Sequence, residues 1–145
     1  MKSALDILLV EDSIADAEMT IRALRKVNLA HNVIHVTDGE QALDLLFGKG
    51  AHEGSSVTLP KIIMLDIKMP RVDGIEVLRQ LKHDERTKLI PVIIMTSSKE
   101  EQDIITSYNL GVNSYVVKPV EFNDFAQAVS QLGMYWLITN QSPFH

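Results

Sequence analysis

The chain has 145 residues, no cysteine and a formal net charge of −5, from 14 Lys plus Arg against 19 Asp plus Glu. This length suits one domain, and the acidic balance argues against a partner such as nucleic acid or anionic lipid. The lack of cysteine excludes disulfides and thiolate chemistry, and no apolar run reaches the ~20 residues of a membrane span, so we expect a cytoplasmic protein.

Short apolar runs predict the strands of a buried sheet. In chain order they are Ile7–Val10, the weaker Val33–Val36, Ile62–Leu65, Val92–Met95 and Tyr115–Val117. Runs without polar alternation are typical of strands that are covered on both faces. The weaker second run predicts an edge strand.

Helix-length stretches separate these runs. They are Ile14–Val27, Gln41–Phe47, Ile75–Lys82, Lys99–Leu110 and Phe122–Ile138, and the Gly- and Ser-rich Gly48–Pro60 predicts a long mobile connection. In the first stretch Ala17, Ile21 and Leu24 form one apolar face. Because strand and helix alternate five times, we predict an α/β fold with a parallel sheet and helices on both faces.

Polar residues follow the predicted strands at their carboxyl ends. They are Glu11 and Asp12, then Asp66, then Thr96 and Ser97, and finally Lys118 and Pro119. Each has an ordinary explanation alone, as a helix cap, a first-turn acid or a solvated lysine. Parallel strands end at one edge of a sheet, however, and ligands bind at that edge.

The acids among these residues predict a cation site with a nucleophile. Glu11, Asp12 and Asp66 would repel one another, and carboxylate oxygens suit Mg²⁺. Beside the cation, Asp66 could attack a phosphoryl group and form an aspartyl phosphate. Lys118 would supply positive charge and Thr96 a hydroxyl hydrogen bond to a phosphate oxygen.

The sequence resembles the receiver domain of bacterial two-component response regulators. The motifs that carry the resemblance are "LLVEDS", "MLDIKMPRVDG", "PVIIMTSS" and "SYVVKP", in that order, and the resemblance covers nearly the whole chain. It implies a flavodoxin-like, doubly wound (βα)5 fold with strand order 2-1-3-4-5. It also implies a single receiver domain over residues 1–145, with an extended C-terminal helix at about 121–138 and no DNA-binding output domain.

The same resemblance implies a role for each residue of the site. Asp66 would be the phosphoacceptor, and Mg²⁺ would be held by Glu11, Asp12, Asp66 and the backbone carbonyl of Lys68. The phosphate would be bound by Thr96, Ser97 and Lys118. Thr96 and Tyr115 would form the switch pair, and Pro119 would follow Lys118 through a cis peptide.

The partner implied by the resemblance is a sensor histidine kinase. The stretch "DIITSYNLGVNSYVVKPVEF" and the late Trp136 are similar to the small single-domain regulators beside phytochrome-type kinases. Ile14, Ala15, Pro70 and Arg71 lie beside the predicted acids, and we expect the kinase to dock there. Such a protein is not an enzyme beyond its own phosphorylation and slow dephosphorylation.

Two alternatives remain open. A haloacid-dehalogenase-type phosphohydrolase also has a nucleophilic Asp after a strand, but it needs a second Asp two residues on, where this chain has Lys68. A receiver that binds partners without being phosphorylated would be favoured if one of the acids, Thr96 or Lys118 were missing, and none is.

The C-terminal stretch predicts a homodimer. Phe125, Val129, Leu132 and Trp136 share its core face, while other apolar residues, Met134, Tyr135, Leu137 and Ile138, surround the rest of it. One sheet cannot cover a helix that is apolar all round, and a twofold pairing is the commonest way to bury the excess. His31 and His35, by contrast, are predicted to be solvated, and Met19, Met64 and Met95 to fill the core.

Overall fold

A computed structural model describes residues 7–26, 32–48, 59–67, 69, 73–96, 109, 111–112 and 114–131. Within them, five parallel strands form one sheet in the order β2-β1-β3-β4-β5. The strands are β1 (Ile7–Val10), β2 (Val33–Val36), β3 (Ile62–Asp66), β4 (Val92–Thr96) and β5 (Ser114–Val117). The predicted α/β class, strand order and edge position of the second strand are confirmed.

Four helices connect or follow these strands in the described ranges. They are α1 (Ile14–Arg25), α2 (Gly39–Phe47), α3 (Gly74–His83) and α4 (Phe122–Gln131). None of these helices is long and apolar enough to cross a membrane. Apart from residue 109, the predicted helix Lys99–Leu110 lies outside the described residues, as do residues 132–138 of the C-terminal helix and residues 49–58 of the long connection.

Side-chain caps fix where three of the helices begin. The N-cap residues Ser13, Asp38 and Asp73 each accept a hydrogen bond from the backbone N–H three residues on. The cap at Asp38 explains why α2 starts at Gly39 rather than at Gln41. The same helix ends at Gly48, whose φ of 66° is the left-handed conformation that glycine adopts without strain.

The sheet divides the core into two layers. Along each inner strand, successive side chains alternate between the layer under α2 and α3 and the layer under α1 and α4. The predicted face of α1 is confirmed, since Ala17 and Leu24 are buried and Ile21 packs against them. The prediction for Met19 is wrong: it lies about 200° around the helix from Ala17 and is 45% exposed.

Candidate functional site

The carboxyl ends of the strands bring acids from β1 and β3 together. Val10 pairs with Leu65, so Glu11 and Asp66 follow side by side on neighbouring strands. Glu11 and Asp66 are buried, whereas Asp12 is exposed. One carboxylate oxygen from each of Glu11, Asp12 and Asp66 lies within 4.8 Å of the other two. Hard oxygen ligands at this spacing fit a divalent cation.

Lys118 extends from the end of β5 into the same cluster. Its Nζ lies 2.8 Å from Oε1 of Glu11 and 3.2 Å from Oδ2 of Asp66. It also lies 3.2 Å from Oδ2 of Asp16, in the first turn of α1. The Lys118 side chain is 10% exposed and those of Glu11 and Asp66 are 0% and 6% exposed. These charges therefore interact away from bulk water.

Burial and charge shift the pKa values of both central groups. The pKa of Asp66 rises to about 7, chiefly because burial disfavours the carboxylate, and also through its hydrogen bond to Glu11 and the charge of Glu11. Burial alone would lower the pKa of Lys118, but its hydrogen bond to Glu11 and the charges of Asp66 and Glu11 outweigh burial and raise it. The site thus holds a fixed cation beside a carboxyl group that titrates near neutrality.

The backbone at Gly74 packs so closely against the backbone of Asp66 that no side chain would fit at position 74. The Gly74 N–H donates to the carbonyl of Ile67 at 2.7 Å. A Cβ on Gly74 would lie 2.2 Å from the carbonyl oxygen of Asp66, far inside van der Waals contact. Glycine at this position therefore lets the start of α3 pack directly against the end of β3 and fixes the backbone on which Asp66 is carried.

The remaining predicted site residues are only partly described. Thr96 ends β4 one residue beyond Met95, which pairs with Asp66. The backbone carbonyl of Thr96 accepts a 2.7 Å hydrogen bond from the backbone N–H of Lys118. Tyr115 lies on the edge strand β5 and is 39% exposed. The peptide bond between Lys118 and Pro119 is cis, as expected from the resemblance. Lys68 and Ser97 lie outside the described residues, so their predicted contacts stay predictions.

Two residues near the site were not predicted from sequence. Asp16 contacts Lys118, and His35 Nε2 forms a 2.8 Å hydrogen bond with the backbone carbonyl oxygen of Glu11. Asp16 lies in the first turn of the helix that starts after Ser13, but spacing in the sequence does not show that this turn faces the strand ends. No sequence signal indicates the contact of His35 either: it was predicted to be solvated and is instead partly buried.

Comparison with known proteins agrees with this arrangement of strands and charges. A family model described as the response regulator receiver domain matches residues 7–130. The chain belongs to this family. Among solved structures, the bacteriophytochrome response regulator AtBRR is 47% identical, with a TM-score of 0.83, and the match covers 93% of this chain and 96% of AtBRR.

Two further relatives are similar over nearly the whole chain. The probable methanogenesis regulatory protein FilR2 of Methanothrix harundinacea is 41% identical over 137 residues, which is 94% of this chain and 86% of FilR2. The response regulator Rcp1 of Synechocystis is 38% identical over 94% of this chain and 92% of its own length. A Mn²⁺-bound structure of Rcp1 matches with a TM-score of 0.73 over 90% of this chain and 93% of that one.

The donor set of the receiver matches the needs of a divalent cation. All three acids of the cluster offer hard oxygen ligands, and the shell that they form is incomplete, so water or a phosphate oxygen could fill the remaining positions. The cluster is compatible with a metal site, and the Rcp1 structure is described as Mn²⁺-bound.

Proposed function

We propose that this response regulator accepts a phosphoryl group on Asp66 from a sensor histidine kinase in a Mg²⁺-dependent reaction. The observation that carries the proposal is the position of Asp66, which is buried, contacts the ammonium of Lys118 and lies in one cluster with the carboxylates of Glu11 and Asp12. An isolated buried carboxylate is unfavourable, so a cluster of this kind is typical of a reactive centre.

In the proposed reaction a carboxylate oxygen of Asp66 attacks the phosphorus atom of a phosphohistidine. A new P–O bond forms as the P–N bond breaks, and the electron pair of that bond leaves with the donor imidazole. Glu11, Asp12, Asp66 and the Lys68 carbonyl would hold Mg²⁺, which supplies charge neutralisation at the phosphoryl oxygens. Lys118, whose Nζ lies 3.2 Å from Oδ2 of Asp66, would offset the same charge.

Thr96, Ser97 and Tyr115 have proposed roles after transfer. Thr96, Ser97 and Lys118 would each donate hydrogen bonds to phosphoryl oxygens. Because Thr96 and Tyr115 lie on the neighbouring strands β4 and β5, a shift of Thr96 toward the phosphoryl group could change the packing of Tyr115. A ligand-driven change of this kind requires the phosphorylated form to favour one arrangement over the other.

Incubation with acetyl phosphate and Mg²⁺, followed by intact mass measurement, tests the proposal. We expect one phosphoryl adduct on the wild type, none on Asp66→Asn and none in excess chelator. Glu18→Gln, on the exposed side of α1, is the matched control and should be labelled like the wild type. A normal adduct on Asp66→Asn would overturn the assignment, and repeated release of phosphate without an accumulating adduct would favour a phosphohydrolase.

The kinase partner is proposed to be of the phytochrome type, because AtBRR, which matches 93% of this chain, is described as a bacteriophytochrome response regulator. We place the encounter in the cytoplasm and at the start of α1, where Ile14 is 58% exposed beside the acids. Ala15, which is also predicted to dock, is exposed, and the remaining two docking residues, Pro70 and Arg71, lie outside the described residues. Ile14→Asp should slow transfer from a kinase and leave labelling by acetyl phosphate unchanged, whereas equal loss of both would indicate a damaged site.

The domain extent and the homodimer also remain proposals. Residues 1–145 would form one receiver domain whose C-terminal helix continues to about residue 138, and the excess apolar residues of that helix would pair two copies. Sedimentation of the wild type against the double variant Tyr135→Glu, Ile138→Glu tests this. A wild type that stays monomeric with and without phosphodonor at tens of micromolar, a scale typical of modest interfaces, would rule the dimer out.

A further inference from the structure

Asp16 is the carboxylate of the Lys118 cluster that the proposed phosphoryl transfer does not use. We propose that Asp16 is a positioning residue, which holds the Lys118 ammonium in place when Glu11 and Asp66 are engaged by the cation and the phosphoryl group. This inference rests on the proposed function. It adds a residue of α1 to a site otherwise built from the strand ends.

The contacts of Lys118 are matched in number to its donors. A lysine ammonium has three N–H groups, and three carboxylates lie within 3.2 Å of Nζ, from Glu11, Asp66 and Asp16. Lys118 reaches them on a stem of four carbons, whose many rotamers must be restricted if the charge is to stay at one point. Each of the three contacts contributes to that restriction.

The three partners differ in what else they would bind. Glu11 and Asp66 belong to the acid cluster whose oxygens lie within 4.8 Å of one another, and Asp16 does not. Binding of a cation would engage Glu11, and phosphorylation would convert Asp66 into a mixed anhydride. Among the carboxylates that contact Lys118 in the described residues, Asp16 would then be the one that keeps its contact through both steps.

The backbone of Asp16 is well fixed for this task. Its N–H donates to Oγ of the N-cap Ser13 at 3.2 Å, and the Ser13 N–H donates to Oε2 of Glu11 at 3.1 Å. The start of α1 is thereby tied to the end of β1. The Asp16 side chain is 38% exposed, so it is more accessible to water than the buried acids that share Lys118 with it.

Comparison of Asp16→Ala with Asp16→Asn separates the loss of the contact with Lys118 from the loss of negative charge. Both variants remove one negative charge, but Asn keeps an oxygen that can accept from Lys118 and Ala does not. Glu18→Ala is the control for loss of an acid on the exposed side of the same helix. The measurements are the acetyl phosphate labelling rate, the affinity for beryllofluoride as a phosphoryl analogue, the Mg²⁺ dissociation constant and the thermal midpoint.

We expect Asp16→Ala to be labelled about five- to tenfold more slowly than Asp16→Asn and to bind beryllofluoride correspondingly more weakly, a loss typical of a misplaced charged group. Its Mg²⁺ dissociation constant should stay within about twofold of that of Asp16→Asn, because Asp16 lies outside the acid cluster. If Asp16 only stabilised the fold, Asp16→Ala would lower the thermal midpoint, and the labelling rate, the beryllofluoride affinity and the Mg²⁺ dissociation constant would change together with it. Equal labelling and equal beryllofluoride affinity in the two variants would overturn the proposal.

A second measurement does not depend on phosphorylation. Trace acetylation of the Mg²⁺-loaded protein, read at each lysine by mass spectrometry, reports how freely the Lys118 ammonium reacts. We expect Lys118 to react several-fold faster in Asp16→Ala than in Asp16→Asn. If the wild type accepted no phosphoryl group, the proposed function would fail, but the acetylation result would still decide whether Asp16 holds Lys118. Equal Lys118 reactivity in the two variants would refute the proposed role of Asp16.

Discussion

Ion pairs in two regions of this receiver have similar lengths and very different surroundings. At the strand ends, Lys118 lies 2.8 Å from Glu11 and 3.2 Å from Asp66, with side chains that are at most 10% exposed. On and after α3, Arg79 lies 2.6 Å from Glu76 and Lys88 lies 2.8 Å from Glu85, with side chains that are 40% to 86% exposed. Distance alone therefore does not distinguish the two regions, but burial does.

The two regions also differ in charge balance. Each pair near α3 joins one cation to one anion in water, where attraction is weak and is screened by salt. The strand-end cluster sets one ammonium against the carboxylates of Glu11, Asp16 and Asp66, with Asp12 nearby. A buried excess of negative charge lowers stability unless a cation joins it. The difference teaches that the strand-end cluster is organised for binding and reaction, at a cost in stability.

The largest effect is expected from removal of the ammonium. Lys118→Met keeps most of the stem but leaves Glu11 and Asp66 without their cation, and breaking a buried pair from one side is strongly destabilising. We expect the free energy of unfolding at pH 8 in chelator to fall by about 3 kcal/mol, measured by urea denaturation. A loss below about 1 kcal/mol would show that water screens this cluster as it does the pairs near α3.

The second effect is a pH dependence caused by Asp66. Its pKa is about 7 in the folded protein and 3.8 without the fold, so between these values the folded state binds more protons than the unfolded state. Stability must then fall as pH rises from about 4 to 7. The raised pKa of Lys118 acts only above its ordinary value of 10.5 and does not enter this window.

Asp66→Asn removes the titration of this carboxyl group, so comparison of the variant with the wild type isolates its effect on stability. In chelator we expect the stability advantage of the variant over the wild type to grow by about 2 kcal/mol between pH 5 and pH 8, because only the wild type must ionise a buried carboxyl group over this range. Urea denaturation at both pH values gives the comparison. An advantage that shrinks between pH 5 and pH 8 would mean that the contact with Lys118 outweighs the burial of the charge.

Much of the fold and of the strand-end site could be predicted from the sequence, and the features that could not be predicted have physical reasons. Unbroken apolar runs such as Ile62–Leu65 predicted buried strands, and the residues after them predicted the acid edge. The strand order came from the family resemblance, because local pattern does not specify which strands pair. The start of α2 was placed two residues late, since Asp38 acts through its cap rather than through hydrophobic periodicity. The Asp16 contact depends on where α1 leaves β1, which spacing alone does not show.

A third, smaller effect is expected from Mg²⁺. A ligand that binds only the folded state adds RT ln(1 + [L]/Kd), or about 1.4 kcal/mol at ten times its dissociation constant. The wild type should gain that amount at pH 8, because the cation offsets the carboxylates of Glu11, Asp12 and Asp66. Asp66→Asn lacks one of these charges and should gain less than about 0.5 kcal/mol at the same Mg²⁺ concentration. Equal gains in thermal or urea midpoints would place the cation away from Asp66.

The smallest effect is expected at the shortest pair. Arg79 and Glu76 are 2.6 Å apart, closer than any of the Lys118 contacts, but their side chains are 49% and 43% exposed. Water already solvates both charges, and ordering two long side chains consumes much of the attraction. In a double-mutant cycle with Arg79→Met and Glu76→Gln, we expect a coupling of about 0.3 kcal/mol that vanishes in 1 M salt. A coupling above about 1 kcal/mol, or one insensitive to salt, would contradict the view that burial rather than distance separates the two regions.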